Sequence, residues 1–600
     1  MEGTTIPRNT NISTSVPHQT QQQQQPPQPP SPEPQIETAT ATPAASDTEP
    51  APPTADQGST PKEFSDMSMH PIKFLTQNAQ REFDQTVARQ STTLDRNDVQ
   101  MIDEFDNVHD LITPFWGLKP ATIRSRAKEA LGYDNALLGI AIRDHTVAFS
   151  TGGPDWQRNA TVGMLENMLP YLPDMNLAFN LHDEPRVVLP HDDLTRLVDK
   201  ARRVAMPAAA NQKLPANDFT ATASELGEKQ RFDETKLTRF NNIHREATWT
   251  NSRMSCAPDS PARTLEDDDS ANDDMRRYAL SAAGFVDNVT AMSDICSTPS
   301  LRRTYGFFDR PNMFKVTHDL FPVFSQSKIS SYADLIYPSP WYWYGKVKYN
   351  ETLDVPWVDK KGKLFWRGST TGGFSRNGGW RRQHRQNFVE KINSATDTLI
   401  FTEGGGSGSQ RWTGEQVPRS DHRRLTDVHF SHVGQCDPGD CQAQRQFFKI
   451  KDVVDMQHAW RYMFLLDMDG NAFSGRFYAF LRSRSQVFKL AVFREWHTAG
   501  WLRPWLHYVP LSMQGGDWLA AAHYYGATDE GSAAAEDMAT VSREWAGRAL
   551  RKVDMEAWFF RLLLEYARVI DDNREVIGFD MASADKKLPL QAQPNDPKRN

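Results

Sequence analysis

Long apolar runs are missing from this 600-residue sequence. No stretch approaches the ~18 consecutive apolar residues from which a membrane-crossing helix is built. Its opening residues also lack the apolar core of a secretory signal. Charge of one sign is missing too: 68 Lys and Arg face 76 Asp and Glu, a formal net charge of −8. A mildly acidic chain has no general field for nucleic acid, which excludes DNA and RNA as partners and requires any anion site to be local. Cysteine is scarce, with four in all. No second Cys or His pair stands at ligand spacing from Cys436 and Cys441, which argues against zinc. The glycine-rich stretch Glu403 to Ser409 is not followed by Lys-Ser/Thr, so a P-loop is excluded and a flexible loop is expected.

What cysteine there is points to an oxidising compartment. Cys436 and Cys441 flank the turn Asp437-Pro438-Gly439-Asp440 at a spacing that suits a short disulfide loop. Cys256 and Cys296 remain for a second pair, a connectivity that spacing alone does not decide. N-x-S/T sequons stand at Asn11, Asn159, Asn288 and Asn350, a pattern that chance also produces. The expectation is the lumen of the Golgi or endoplasmic reticulum, with membrane attachment only through an anchor that this chain does not carry.

A chain of this length exceeds one hydrophobic core, so two domains plus tails are expected. Residues 1–97 form one Gln/Pro/Thr/Ala-rich block that cannot bury enough apolar surface to fold, a disordered tail or stem. Residues 98–345 are read as an N-terminal α/β domain and 346–575 as a second one with a closing helix. Residues 576–600 are read as a flexible tail. Asn176 to Leu181 is a buried strand ending at His182-Asp183-Glu184-Pro185. The acidic run Glu266 to Asp274 reads as a solvated loop, and the aromatic stretch Asn312 to Tyr344 as a wall or hinge. Further strands are expected at Lys363–Trp366, Thr398–Thr402, Met463–Leu466 and Gln486–Val492. Helices are expected from about Trp380 to Ile392, from Gly475 and over Ser542–Asp571. Alternating strands and helices in two blocks predict an α/β protein of two Rossmann-like domains facing a cleft.

Two constellations carry chemistry. Trp366-Arg367-Gly368-Ser369-Thr370-Thr371-Gly372-Gly373, followed by Gly378-Gly379-Trp380-Arg381-Arg382-Gln383-His384-Arg385, runs strand, glycine-rich turn, helix. Glycines let backbone approach an anion, a helix N-terminus offers free N–H groups, and arginine forks suit a diphosphate. Arg381 and Arg385, four apart, are expected on one helix face. The second constellation is Asp467-Met468-Asp469-Gly470-Asn471, with Ser474-Gly475-Arg476-Phe477. As an EF-hand it fails, because its twelfth position is Tyr478. It remains open to a DxD metal site at Asp467 and Asp469, or to a turn in which Asn471, Ser474 and Arg476 meet a nucleotide.

Those two runs, with Ser485 to Lys489, Glu495-Trp496, Pro504 to Pro510, Phe324 to Lys328 and Tyr337-Pro338, resemble the capsule-associated, family 90 glycosyltransferases. That family includes fungal capsule xylosyltransferases and animal protein O-glucosyltransferases. The resemblance spans roughly residues 100 to 575 in consistent order. It implies a GT-B fold, a UDP-sugar donor, a glycan or glycoprotein acceptor, inversion at the anomeric carbon and no required metal. It also implies that Asp183 is the general base, with Glu184 the neighbour most easily confused with it. The donor side is assigned to Arg367, Ser369, Ser474, Arg476, Glu495 and one of Arg381, Arg382 or Arg385. Xylosyl transfer to a mannose-containing glycan is the leading specific expectation. Sugar transfer to Ser of a protein, or an inactive glycan-binding relative, stand as alternatives.

Overall fold

Most of the apolar segments expected as strands assemble into two five-stranded sheets. The computed structural model describes residues 60–91, 106–133, 136–210, 219, 231–264, 273–404, 411–498 and 500–577. The rest of the expected tail, the Gly405–Ser409 loop and most of the acidic run lie outside the described residues. Asp273, near the end of that run, is not a solvated acid: it is buried and accepts hydrogen bonds from Tyr278 and Ser300.

Part of the stretch read as a tail is folded. Helix α1 (Pro71–Ser91) buries Ile72 and Leu75. Just before it, the His70 ring stacks on Tyr524 with centroids 4.1 Å apart. Farther along, Phe83 meets the edge of Trp545. The apolar residues responsible are few and widely spaced, so composition averaged over the block conceals them.

The first sheet holds β1 (Leu137–Arg143) and β2 (Thr146–Thr151). Helix α2 (Asp155–Leu165) follows, then β3 (Met175–Asn180), β4 (Val323–Ser325) and β5 (Leu335–Ile336). Strand order is β2-β1-β3-β4-β5; β1 runs antiparallel to β2 and β3, whereas β3, β4 and β5 are parallel. β3 is buried along its whole length, which is why it reads as a nearly continuous apolar run. The short helix α3 (Pro340–Tyr344) then leads to the second half of the chain.

There β6 (Lys361–Ser369) is followed by α4 (His384–Asn393) and a separate two-stranded hairpin, β7 (Asp397–Glu403) and β8 (Trp412–Pro418). The segment around Thr398–Thr402 is thus a strand, but not one of the main sheet. Next come β9 (Thr426–His432), β10 (Tyr462–Met468), the short helix α5 (Phe477–Leu481), β11 (Gln486–Leu490) and β12 (Val509–Pro510). The second sheet has order β9-β6-β10-β11-β12 and is parallel throughout.

The closing helix expected over Ser542–Asp571 is two helices. After α6 (Asp517–Ala527), α7 (Asp529–Ala549) ends at Leu550, and α8 (Lys552–Ile570) begins after an extended Arg551. Asp554 accepts the Arg551 N–H at 2.7 Å in a capping box, a local signal that restarts the helix. α8 returns to the first sheet, where Tyr566 donates to the Asn176 carbonyl and packs on Phe324. The N-terminal helix therefore braces the second half of the chain and the C-terminal helix braces the first. All four cysteines are bridged, Cys256 to Cys296 and Cys436 to Cys441.

Candidate active site

The chain leaves β6 for β9 on one side of it and later adds β10 on the other side. The turns after β6 and β10 therefore part at the C-terminal edge of the sheet, the place where open parallel sheets take ligands. Gly372 (φ 113°) and Gly373 (φ 143°) make the first turn in backbone conformations that side chains resist. The Gly372 N–H donates to Asn471 Oδ1 of the second turn at 3.2 Å.

Two guanidiniums line this crevice beside the Trp366 ring, Arg385 buried and Arg476 half-buried. Arg385 Cζ is 5.7 Å and Arg476 Cζ 5.8 Å from its centroid. Arg385 donates to the carbonyls of Asp469 (2.7 Å), Ser369 (3.2 Å) and Met468 (3.3 Å), and to Thr371 Oγ1 (2.8 Å). Arg476 donates to the Arg367 carbonyl at 2.8 Å. Among the described residues neither has a carboxylate within ion-pair distance. Burial, then the charge of Arg476, pull the Arg385 pKa down to about 10, and burial lowers that of Arg476. Two like charges held by neutral carbonyls in a desolvated place make a site that an anion would stabilise.

The other arginines of the cluster are engaged elsewhere. Arg367 pairs with Asp427 at 2.7 Å, and Arg382 grips Asp309 through two nitrogens at 2.9 and 2.7 Å. Arg381 is exposed, its guanidinium 4.1 Å from the centroid of Trp380. It does not share a helix face with Arg385: Gly379–Arg382 form a 3-10 turn, Gln383 is extended (φ −101°, ψ 137°) and α4 starts only at His384.

Asp467 and Asp469 are both buried and already hold protein donors. Asp467 accepts from the Ser474 hydroxyl and pairs with Lys489 Nζ at 2.9 Å. Asp469 accepts from Tyr305 Oη (2.7 Å) and the N–H groups of Val492 (2.8 Å) and Phe493 (3.1 Å). Burial nevertheless raises its pKa to about 6. The pair is the floor beneath Arg385 and Ser474. Ser369, half-buried, bonds to Thr371 at 2.9 Å. Glu495 is buried beside His497, 3.3 Å from its Nε2, and next to Tyr342, whose hydroxyl donates to the Ser474 carbonyl.

The stretch that builds this crevice, residues 307–577, matches the family model for glycosyl transferase family 90. It is a family 90 glycosyltransferase domain. No curated protein matches the chain.

Asp183 lies ahead of the matched stretch, yet the glycosyltransferase domain reaches it: Asn471 Nδ2 is 3.5 Å from Asp183 Oδ2. One asparagine thus links the β3 end to the Gly372 turn. Asn471, read from the sequence as a nucleotide contact, makes both of these contacts. The structure also separates Asp183 from Glu184. Asp183 is open to solvent, although the protein around it raises its pKa, an effect the Asn471 contact opposes. The Glu184 side chain turns inward and accepts the Met313 N–H at 3.1 Å. Burial, then the Asp183 charge, raise its pKa to about 8. Of the two neighbouring carboxyls, the buried Glu184 keeps a proton at neutral pH, and Asp183 is the one that faces solvent.

That assignment has a pH signature. A folded-state pKa of about 8 against an ordinary 4.5 means the native state holds a proton that the unfolded chain has lost. The contribution is fully present below pH 4.5 and disappears as pH rises through about 8. Glu184→Gln is expected to gain stability relative to the native chain across that window, by on the order of a few kcal/mol. Urea unfolding at pH 5 and 8.5 reads the difference; an equal gap at both values would mean that Glu184 is ionised in the fold.

Proposed function

We propose that this chain is an inverting, metal-independent glycosyltransferase of GT-B architecture that moves a sugar, with xylose the leading specific choice, from UDP to a glycan hydroxyl. The observation that carries the reading is the unpaired Arg385–Arg476 couple at the edge of the parallel sheet, joined through Asn471 to an open Asp183. Asp183 takes the proton from the acceptor hydroxyl as its oxygen attacks the anomeric carbon. The bond from that carbon to the β-phosphate oxygen breaks on the opposite side, and the departing charge meets the two guanidiniums. The reading gives Asp467 and Asp469 no metal role, which is supported by the donors they already hold: Lys489 and Ser474 on Asp467, Tyr305 and two backbone amides on one oxygen of Asp469.

The proposed compartment is the secretory lumen. Two disulfides and exposed side chains at the sequons Asn159, Asn288 and Asn350 support it. The domain limits we propose place the acceptor side before residue 345 and the donor side after it.

The deciding assay is UDP release by the purified chain with UDP-xylose, UDP-glucose, UDP-galactose and UDP-glucuronate, each with and without EDTA. Turnover of one donor, unchanged by EDTA, is expected. Loss of activity in EDTA would return Asp467 and Asp469 to a metal role. Absence of any UDP-sugar binding or turnover would overturn the transferase in favour of a glycan-binding module.

A further inference from the structure

Helix α3 is four-fifths aromatic, and its side chains divide by face. Tyr342 donates to the Ser474 carbonyl at 2.6 Å and stacks on Tyr478 with centroids 3.7 Å apart. Trp343 packs against Gly163, where an added Cβ would stand 2.5 Å from its ring. These two rings anchor the helix. Trp341 and Tyr344, three apart and therefore on one side, remain 36% and 49% exposed. Trp156, near the start of α2, joins them, with ring centroids 5.7 Å from Trp341 and 6.0 Å from Tyr344. Lys346 places its ammonium 4.1 Å from the Trp156 centroid, 5.3 Å from Tyr344 and 6.0 Å from Trp341. Among the described residues it has no carboxylate partner.

The position of this platform matters as much as its composition. Trp341 lies so close over Gly475 that a Cβ there would collide with the indole nitrogen, and Gly475 stands between Ser474 and Arg476. On the other flank, Gly153, three residues before Trp156, packs on Leu181, two residues before Asp183; a Cβ there would be 2.8 Å from Leu181 Cδ2. The aromatic surface therefore continues from the donor-side turn to the strand end that carries the base.

Resting on the transferase reading above, we infer that Trp156, Trp341, Tyr344 and Lys346 form an acceptor subsite that holds a pyranose ring of a glycan. Aromatic faces are electron-rich and take the C–H face of a sugar ring, while an ammonium offers three donors to its hydroxyls. Exposed rings of this size beside a reaction centre mark a binding surface rather than a folding device, because Tyr342 and Trp343 already supply the packing.

The test uses the full chain and two measurements. Trp fluorescence follows titration with mannose, galactose, glucose and N-acetylglucosamine oligosaccharides; calorimetry follows UDP. One oligosaccharide series is expected to bind, and Tyr344→Ala, Trp156→Ala and Lys346→Ala are each expected to weaken it about tenfold or more. Tyr344→Phe should retain binding, and UDP affinity should be unchanged in all four variants. Tyr344 and Lys346 are exposed, so their variants keep the test informative should Trp156→Ala fail to fold. Unaltered oligosaccharide binding with intact UDP binding would overturn the subsite and leave the transferase standing. A wild-type chain that glycosylates a protein yet binds no oligosaccharide would overturn the glycan as occupant. A chain that binds neither UDP nor UDP-sugars would overturn the transferase reading, and the subsite with it.

Discussion

Asp183→Asn is expected to lower kcat for sugar transfer by about 10²–10⁴-fold, the range for loss of a positioned general base. Affinity for UDP is expected to persist, because the side chain contacts the donor half only through Asn471, and an amide can keep that contact. The same substitution at Glu184 should cost activity far less, because that side chain is turned into the protein and held by Met313. The native pH profile should rise on its acid side as Asp183 ionises, at a pH above the ordinary carboxylate range because the surrounding protein raises its pKa. Asn in place of Asp should abolish that limb. Steady-state kinetics from pH 4 to 8, with calorimetric UDP titration, read both effects. A variant that retains full turnover would remove Asp183 from the chemistry.

Loss of either crevice guanidinium is the second large effect. Arg476→Lys is expected to reduce kcat/KM by about 10²–10³-fold, the scale for removing one donor to a developing oxyanion. A lysine keeps the charge but not the planar fork, and it cannot hold the Arg367 carbonyl while meeting a diphosphate. Arg385→Lys should cost at least as much. It also releases the carbonyls of Ser369, Met468 and Asp469, so its circular dichroism and melting must be compared with those of the native chain. The double variant should lose less than the product of the two single losses, because both guanidiniums act on one anion. Arg382→Lys is the control: its fork is committed to Asp309, so UDP affinity should not change. Equal losses at Arg382 and Arg476 would refute the assignment of the anion site.

Much of this was legible locally. β3 and β10 announce themselves as apolar runs, and the acids that follow them mark the strand ends. The glycines at 372 and 373 announce a turn, and positive φ at both is what only glycine adopts comfortably. These features depend on neighbours within a few residues, where periodicity and backbone sterics operate. The same local reasoning misled where a short break intervened. Gln383 interrupts the expected helix and moves Arg381 to the surface, and Arg551 divides the expected closing helix in two.

By itself, then, the sequence determined an α/β chain with a glycine turn, an arginine cluster and a carboxylate pair at a strand end. Only the tertiary structure decided which members of those sets are available. Arg367 and Arg382 are neutralised by Asp427 and Asp309, partners remote in sequence, whereas Arg385 and Arg476 donate to carbonyls and, for Arg385, the Thr371 hydroxyl. Asp183 and Glu184 are adjacent in the chain, but one faces water and the other Met313, which separates their chemistry. Likewise, α1 is held by Tyr524 and Trp545, more than four hundred residues away. Charge compensation and burial depend on what the fold brings alongside a residue, and no local pattern encodes that.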